Sequence, residues 1–430
     1  MPCGKNCCGY EKKAAVQRHG KHALRANVPE PFFDGIVCVI IPPHMNPDNV
    51  LIAVLCFLLA GWIYRSWRAL SELKHAPTLR LRGQSSRRGS VSILIPAKNE
   101  SKNIVDCVKP LLSQLRENDE VIVINNGSAD NTEVLLKEMG AQELSGQESS
   151  SRGRQSAKLK YLNTPQTPEG WTGKNFALHL GVPFAAGDWF LFTDADTRHE
   201  AGSVDAAVAF AEENTLDLLT LLPRCLAQGF WENLMQPCAM AYMGLWFPLR
   251  KINDPSSKTF FANGQYLLIR KDHYQKTGGH VAVKEAFLED FALMKRTKQM
   301  GARGMCGFGM EIYGTRMYDS FNALWRGWRR IFLHAFEQRP ASLLKCVLSV
   351  LFFSVLPVGI FVASMAHFSI SWVLGTILMA IIFGTAFKAY AIVKARQRYA
   401  FLHPFAALVF AGILCDASRM AVLKRPTFWR

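Results

Sequence analysis

Three short stretches carry residues whose types and spacing could do chemistry. In "FLFTDADTRHE", residues 190–200, the apolar run Phe190–Phe192 ends on Asp194 and Asp196, separated only by Ala195. A hard divalent cation, Mg²⁺ or Mn²⁺, takes one or two carboxylates and completes its shell with water and phosphate oxygens, so this pair has the right donors. A solvated turn capping the helical pattern that follows would look the same. In "AFLEDFALMKRTKQMG", Glu289 and Asp290 open a predicted helix that ends at Gly301. There Asp290 reads either as an N-cap or as a general base. In "PEGWTGKNFALHLG", Gly170 and Gly173 flank Trp171, and Lys174 opens a helix. A lysine at a helix start can meet a phosphate with help from the helix dipole, or it can simply face solvent.

The elements that must position these residues alternate in type. "SVSILIPAKNES" reads as a strand that Pro96 ends, leaving Lys98, Asn99 and Glu100 on the following loop. "ESKNIVDCVKPLLSQL" has helical spacing at Ile104, Val105, Val108, Leu111 and Leu112. "DEVIVINNGSADNT" is a second buried strand ending in a polar turn, and "TEVLLKEMGA" a second helix with Gly140 as its C-cap. Strand–helix alternation predicts an α/β fold with a mostly parallel sheet and ligands at the carboxyl ends of its strands. The clusters Pro96–Glu100, Asn125–Asp130 and Asp194–Asp196 all fall at such ends. A dinucleotide-binding G-x-G-x-x-G is absent after the first strand, and so is a Walker A loop.

Taken in order, "VSILIPAKNE", "VIVINNGSADNT", "GDWFLFTDADT" and "EDFALMKRTKQMG" resemble the family 2 glycosyltransferases with the GT-A fold, over residues 89 to about 335. The resemblance implies a nucleotide diphosphate sugar donor. Pro96, Ala97, Asn99 and Glu100 would line the nucleoside pocket, joined by Asn126 and Lys174. Asn126 stands where the family commonly has aspartate, which leaves the nucleotide open. Asp194 and Asp196 would be the metal-binding D-x-D, with Asp194 also facing the donor. Asp290 would be the base for an inverting transfer and Glu289 its neighbour. In "FFANGQYLLIRKDHYQKTGGH", Gly278, Gly279 and His280 would border donor and acceptor. In "MYDSFNALWRGWRRIFLHAF", Phe321, Leu324, Trp325, Trp328 and Phe332 recur at helical spacing among arginines, the composition of an interfacial amphipathic helix over 319–338. Processive members carry Q-x-x-R-W near here. This chain has Trp325-Arg326-Gly327-Trp328 instead, similar to the branch that glycosylates lipids such as carotenoids (chlorobactene-type) and hopanoids. Trp325 and Trp328 would cap the site.

Hydrophobic residues make up 49% of the 430-residue chain, concentrated at Val50–Trp67 and beyond Leu343. Segments 47–67, 343–365 and 370–392 read as membrane helices. Segment 401–422 is interrupted by His403, Pro404, Asp416 and Arg419, and is either a span or re-entrant. Residues 1–46 show no periodicity and are expected to be a disordered tail, with Cys3, Cys7 and Cys8 in it. The formal net charge of +16 brings no basic stripe interleaved with aromatics, so nucleic acid is not the expected partner. Basic residues flank the apolar segments instead, among them Arg65, Arg68, Arg80, Arg82, Arg87 and Lys394. By the positive-inside rule the domain at 89–318 faces the cytoplasm, where its cysteines are expected to stay reduced.

The sequence therefore points to an integral membrane enzyme moving a sugar to a lipid hydroxyl. A processive polysaccharide synthase and a catalytically inactive binding protein on the same fold are the alternatives. The topology has a direct check. A single cysteine placed at Gln147 should stay unlabelled by an impermeant maleimide until the membrane is opened. Labelling in intact cells would contradict the assignment.

Overall fold

The computed structural model describes residues 47–81, 87–144, 157–365 and 369–424. The N-terminal tail with its cysteines, Arg82, Gln147, Arg425 and Arg430 lie outside the described residues.

An eight-stranded sheet forms the centre of the region between the first and second candidate membrane helices. Its strands are β1 (Val91–Ala97), β2 (Glu120–Asn125), β3 (Gln142–Glu143), β4 (Leu159–Asn163) and β5 (Trp189–Phe192). A short β6 (Thr197–His199) follows, then β7 (Leu218–Leu222), β8 (Arg224–Cys225), β9 (Leu267–Arg270), β10 (Gly304–Phe308) and β11 (Tyr313–Thr315). The order across the large sheet is β10-β7-β9-β5-β1-β2-β4-β3, and β6, β11 and β8 make a second, small sheet. Every pairing in the large sheet is parallel except those of β9 with β5 and with β7.

Strands buried on both faces need apolar residues at both parities, and β1 and β2 have them. Ile93, Ile95, Val121 and Val123 pack on one face against Ile104, Val108 and Val204. Leu94, Ile122, Ile124, Phe190 and Phe192 pack on the other against Ala177, Leu178, Leu293 and Met294. The second set anchors two helices that matter below, Gly173–Gly181 and Glu289–Gln299.

Among the described residues four helical segments are long and apolar enough to cross a membrane: Asp48–His75, Pro340–Ser364, Ile370–Ile392 and Gln397–Val422. The second contains a π-helical turn at Leu351–Val355. The first runs beyond the expected 47–67. Its Leu55, Leu58 and Trp62 pack on Leu378, Met379 and Ile382, while Ile63, Val362, Ile370 and Leu408 remain exposed, as lipid-facing side chains would be. His403 and Asp416 of the last segment point into the bundle, whereas Arg419 stays exposed. Asp416 accepts bonds from Trp325 Nε1 at 3.0 Å and Arg329 Nη1 at 2.8 Å. His403 Nε2 lies 3.3 Å from Ser354 Oγ.

The sheet region and the membrane helices share one core. Helix Phe230–Trp246 contributes Leu234, Tyr242 and Trp246 to it, helix Phe321–Ala335 contributes Leu324, Trp328 and Phe332, and His403–Val422 contributes Phe410 and Leu414. The helix expected to lie on the membrane surface therefore has its apolar face covered by protein.

Candidate active site

The carboxyl ends of β1, β2 and β5 converge because register fixes them side by side. Ala97 is opposite Asn125, and Leu94 opposite Phe192. Beyond these ends, Asn99 takes φ +58°, a left-handed conformation that asparagine tolerates. Its Oδ1 accepts from Ala129 N at 2.8 Å, and its own N–H donates to Ser128 Oγ at 2.9 Å. Glu100 is held by Asn103 Nδ2 at 2.9 Å. Asn126 N–H donates to Ala97 O, and Asn126 Oδ1 accepts from Thr164 Oγ1 at 2.9 Å. Asn99, Glu100 and Asn126 thus form one polar rim over the buried strand end Pro96–Ala97, with the D-x-D turn beside it.

That turn is held from behind. Thr197 Oγ1 donates to Asp194 O at 2.7 Å, and Thr193 Oγ1 donates to Gln265 O at 2.7 Å. His199 Nε2 touches both hydroxyls, at 3.0 and 3.1 Å. Burial pushes the His199 imidazole down to about 3, so it is a neutral support. Asp194 and Asp196 are both half-buried, but Asp196 Oδ1 is enclosed. Burial first, then the neighbouring Asp194 and Glu100, push the Asp196 carboxyl up to about 8. Its Oδ1 is buried with no hydrogen-bond partner. A carboxylate oxygen stranded this way is costly unless something cationic meets it. Among the described residues no group of three or more His, Cys, Asp or Glu is arranged to hold a metal ion. A cation at this turn would have two protein carboxylates and draw its other ligands from water and phosphate, a donor set that suits Mg²⁺ or Mn²⁺.

Lys174 joins this pair to the other. Thr172 caps its helix, accepting from Asn175 N at 3.3 Å. The Lys174 ammonium is turned inward, 2.7 Å from Asp194 Oδ1 and 2.7 Å from Glu289 Oε1. Burial alone would lower its pKa, but Asp194, Glu289 and Asp290 outweigh burial and raise it, so the charge persists.

Asp290 is not the helix N-cap; Leu288 occupies that position. Asp290 Oδ2 instead accepts from Gly264 N at 2.6 Å, and Oδ1 from the adjacent Phe291 N at 2.8 Å. A side chain at Gly264 would come within 3.0 Å of Lys174 Nζ and 3.2 Å of Asp290 Oδ2, so glycine lets these groups approach the backbone without being pushed aside. Burial and then Glu289 push the Asp290 carboxyl up to about 7, against Lys174 and the two N–H donors. A carboxyl near neutrality can take a proton from an attacking hydroxyl and release it again.

Asp290 also lines a cavity of about 320 Å³. Asn263, Gln265, Phe261 and Phe291 form its sheet-side wall, and Trp62, Arg65, Ala389, Tyr390 and His403 its membrane-helix wall. Trp328 lines it too and donates through Nε1 to Gln236 Oε1. Trp325 is bound to Asp416 instead and is not among the lining residues. Gly278, Gly279 and His280 also stand apart from the cavity. His280 is buried with Nδ1 2.7 Å from Tyr274 OH, and both glycines have positive φ at the start of a 3₁₀ turn. Sequence reasoning missed Gly264, Thr197, His199 and the whole cavity. Glycine inside the strand-like "FFANGQY" was the one available signal, because it marks close backbone approach.

Residues 92–278 match the family model described as "Glycosyl transferase family 2". This segment is similar to family 2 glycosyl transferase domains. Two curated proteins called 4,4'-diaponeurosporenoate glycosyltransferase are similar to the chain. One from Staphylococcus haemolyticus (strain JCSC1435) is 26% identical over 247 residues, 56% of this chain and 60% of that protein. One from Staphylococcus aureus (strain MRSA252) is 27% identical over 251 residues, with the same coverage. The match thus spans less than two thirds of these relatives' own length. Among solved structures, a mannosyltransferase from Pyrobaculum calidifontis in complex with GDP-Man and Mn²⁺ has TM-score 0.49 and 15% identity, covering 88% of this chain and 99% of that one. Glucosyl-3-phosphoglycerate synthase from Mycobacterium tuberculosis, in complex with Mn²⁺, UDP and phosphoglyceric acid, has TM-score 0.38 and 17% identity, covering 61% and 87%.

The transferase domain has one readily tested titration. With Asp290 as base, only its ionised form works, so transfer should fall about tenfold per pH unit below about pH 7 and level off above it. Asp290→Asn keeps one acceptor for Gly264 N–H but cannot take the proton. Turnover should drop about 10²–10⁴-fold and lose that acid limb, with donor affinity nearly unchanged. An unaltered pH–rate profile in the variant would remove Asp290 from this role.

Proposed function

We propose that the protein is a membrane-bound inverting glycosyltransferase that moves a sugar from a nucleotide diphosphate sugar to a hydroxyl of an isoprenoid-type lipid. The observation that carries this reading is the cavity, which has Asp290 on one wall and candidate membrane helices on the other. A lipid could reach the base from the bilayer without crossing water. The names of the curated relatives, which specify a carotenoid acid, support a polyene or related acceptor.

In this reading the donor lies along the strand end Pro96–Ala97 and the rim formed by Asn99, Glu100 and Asn126. Asp194 and Asp196 would hold a divalent cation, which supplies neutralisation of the diphosphate charge. Lys174 keeps the two acid pairs in one place despite their mutual repulsion. Asp290 draws the proton from the acceptor hydroxyl as its oxygen bonds to the sugar's anomeric carbon. The bond from that carbon to the phosphate oxygen breaks, and the nucleoside diphosphate leaves with the electron pair. The acidic surroundings favour a hydroxyl over a carboxylate as the attacking group. A carboxylate would need no base and would be repelled by ionised Asp290. In this reading the domain faces the cytoplasm, where nucleotide sugars are made.

Filling the cavity separates acceptor access from donor chemistry. Purified Ala389→Phe would be assayed with labelled nucleotide sugars and lipid extracted from the source cells. Transfer to lipid should fall about a hundredfold, the scale of a displaced substrate, while slow hydrolysis of the donor by water persists. Excess EDTA should stop both. Full lipid transfer by the variant would contradict the cavity route.

A further inference from the structure

A bilayer ligand gains little by leaving lipid for an apolar pocket, because lipid tails are as apolar as leucine side chains. Selection in such a cavity therefore rests on its polar groups. Arg65 is the one to explain. It follows the uncharged stretch Val50–Tyr64 on the first candidate membrane helix and lines the cavity. Ionisable residues in membrane helices are rare, and they mark ligand or ion pathways.

The partners of Arg65 are few. Among the described residues no carboxylate forms an ion pair with it, and its hydrogen-bond acceptor is Ser349 Oγ at 3.5 Å, the long limit for such a bond. Its guanidinium sits 4.3 Å from the Phe353 ring centre and 5.5 Å from that of Trp62. Rings attract the charge but cannot take five directed N–H donors. The other charged groups on this wall are engaged with backbone. Arg68 Nη2 donates to Leu245 O at 3.1 Å, and Glu72 accepts from Arg250 N at 3.0 Å.

The surroundings are built rather than incidental. The π-helical turn Leu351–Val355 leaves Phe353 O for Trp62 Nε1, which donates to it at 2.6 Å. The same turn brings Ser354 Oγ to 2.7 Å from Tyr242 OH, with His403 next to it. π-Turns inside α-helices occur frequently at functional sites. Arg65, Tyr242 and His403 all line the cavity. The result is a cationic, hydroxyl-bearing pole in a mostly apolar cavity.

We propose that this pole binds the carboxylate of an amphiphile whose apolar body fills the cavity. Glu72 offsets Arg68 on the same wall, so the one net positive charge of Arg65 balances one negative charge, which suits a carboxylate better than a phosphate dianion, and its planar fork matches carboxylate geometry. The inference concerns what the cavity binds. It stands whether or not that amphiphile is the acceptor, and its test uses no sugar donor.

The full chain in uncharged detergent at pH 8 would be titrated with tritiated hexadecanoate. Methyl hexadecanoate and hexadecyl phosphate would serve as competitors. The unlabelled acid should compete about tenfold better than the ester, the value of one charge-assisted pairing. Arg65→Gln should remove the difference while leaving ester binding intact, and Arg65→Lys should keep most of it. Equal competition by acid and ester in the unmodified protein overturns the proposal, and that comparison needs no variant to fold. Preference retained in Arg65→Gln overturns it as well. Hexadecyl phosphate competing better than the acid, through Arg65, overturns the assignment to a carboxylate.

Discussion

The site depends on one buried ammonium. Asp194 and Asp196 end a central strand, and Glu289 and Asp290 open a helix some hundred residues later in the chain. Four carboxyl groups gathered in a partly dehydrated space repel one another, and each would rather be protonated. Lys174 lies within 2.7 Å of one member of each pair and offsets part of that repulsion. Its own burial is tolerable only because those acids surround it. Close packing at Gly264 completes the arrangement, since the backbone N–H reaches Asp290 where a side chain would intrude.

The same geometry explains how two solvents can meet at one reaction centre. In the proposed reading the donor lies along loops at strand ends. The acceptor would enter a cavity walled partly by helices long enough to span a bilayer. The two regions are not loosely tethered. Helices Phe230–Trp246, Phe321–Ala335 and His403–Val422 share a continuous apolar core, and Trp325, Arg329 and Asp416 add a polar clasp to it. A rigid joint of this kind keeps the cavity aligned with Asp290.

Much of this was legible from residue types. Strand ends at Pro96, Asn125 and Phe192 are marked by abrupt changes from apolar to polar, so the convergence of three polar clusters follows from a parallel sheet. The acid pairs announce themselves by spacing. The antiparallel β9 did not show itself, because a strand of four apolar residues reads the same in either direction. Lys174 was readable as a residue at a helix start, but its inward turn depends on Glu289, which is distant in sequence. The N-cap reading of Asp290 failed for a similar reason: its true partner, Gly264 N–H, comes from another segment. Arg65 looked like one of several flanking basic residues. Only packing against Ser349 and Phe353 distinguishes it.

The claim that Lys174 binds both acid pairs into one site is tested most directly by the pH–rate profile of Lys174→Gln. Glutamine keeps hydrogen-bonding capacity and removes the charge. Without the ammonium, Asp290 loses its nearest opposing charge, so the acid limb of sugar transfer should move to higher pH by about 1–3. A limb that stays where the unmodified enzyme has it would contradict the account, because Lys174 would then be neutralising Asp194 alone.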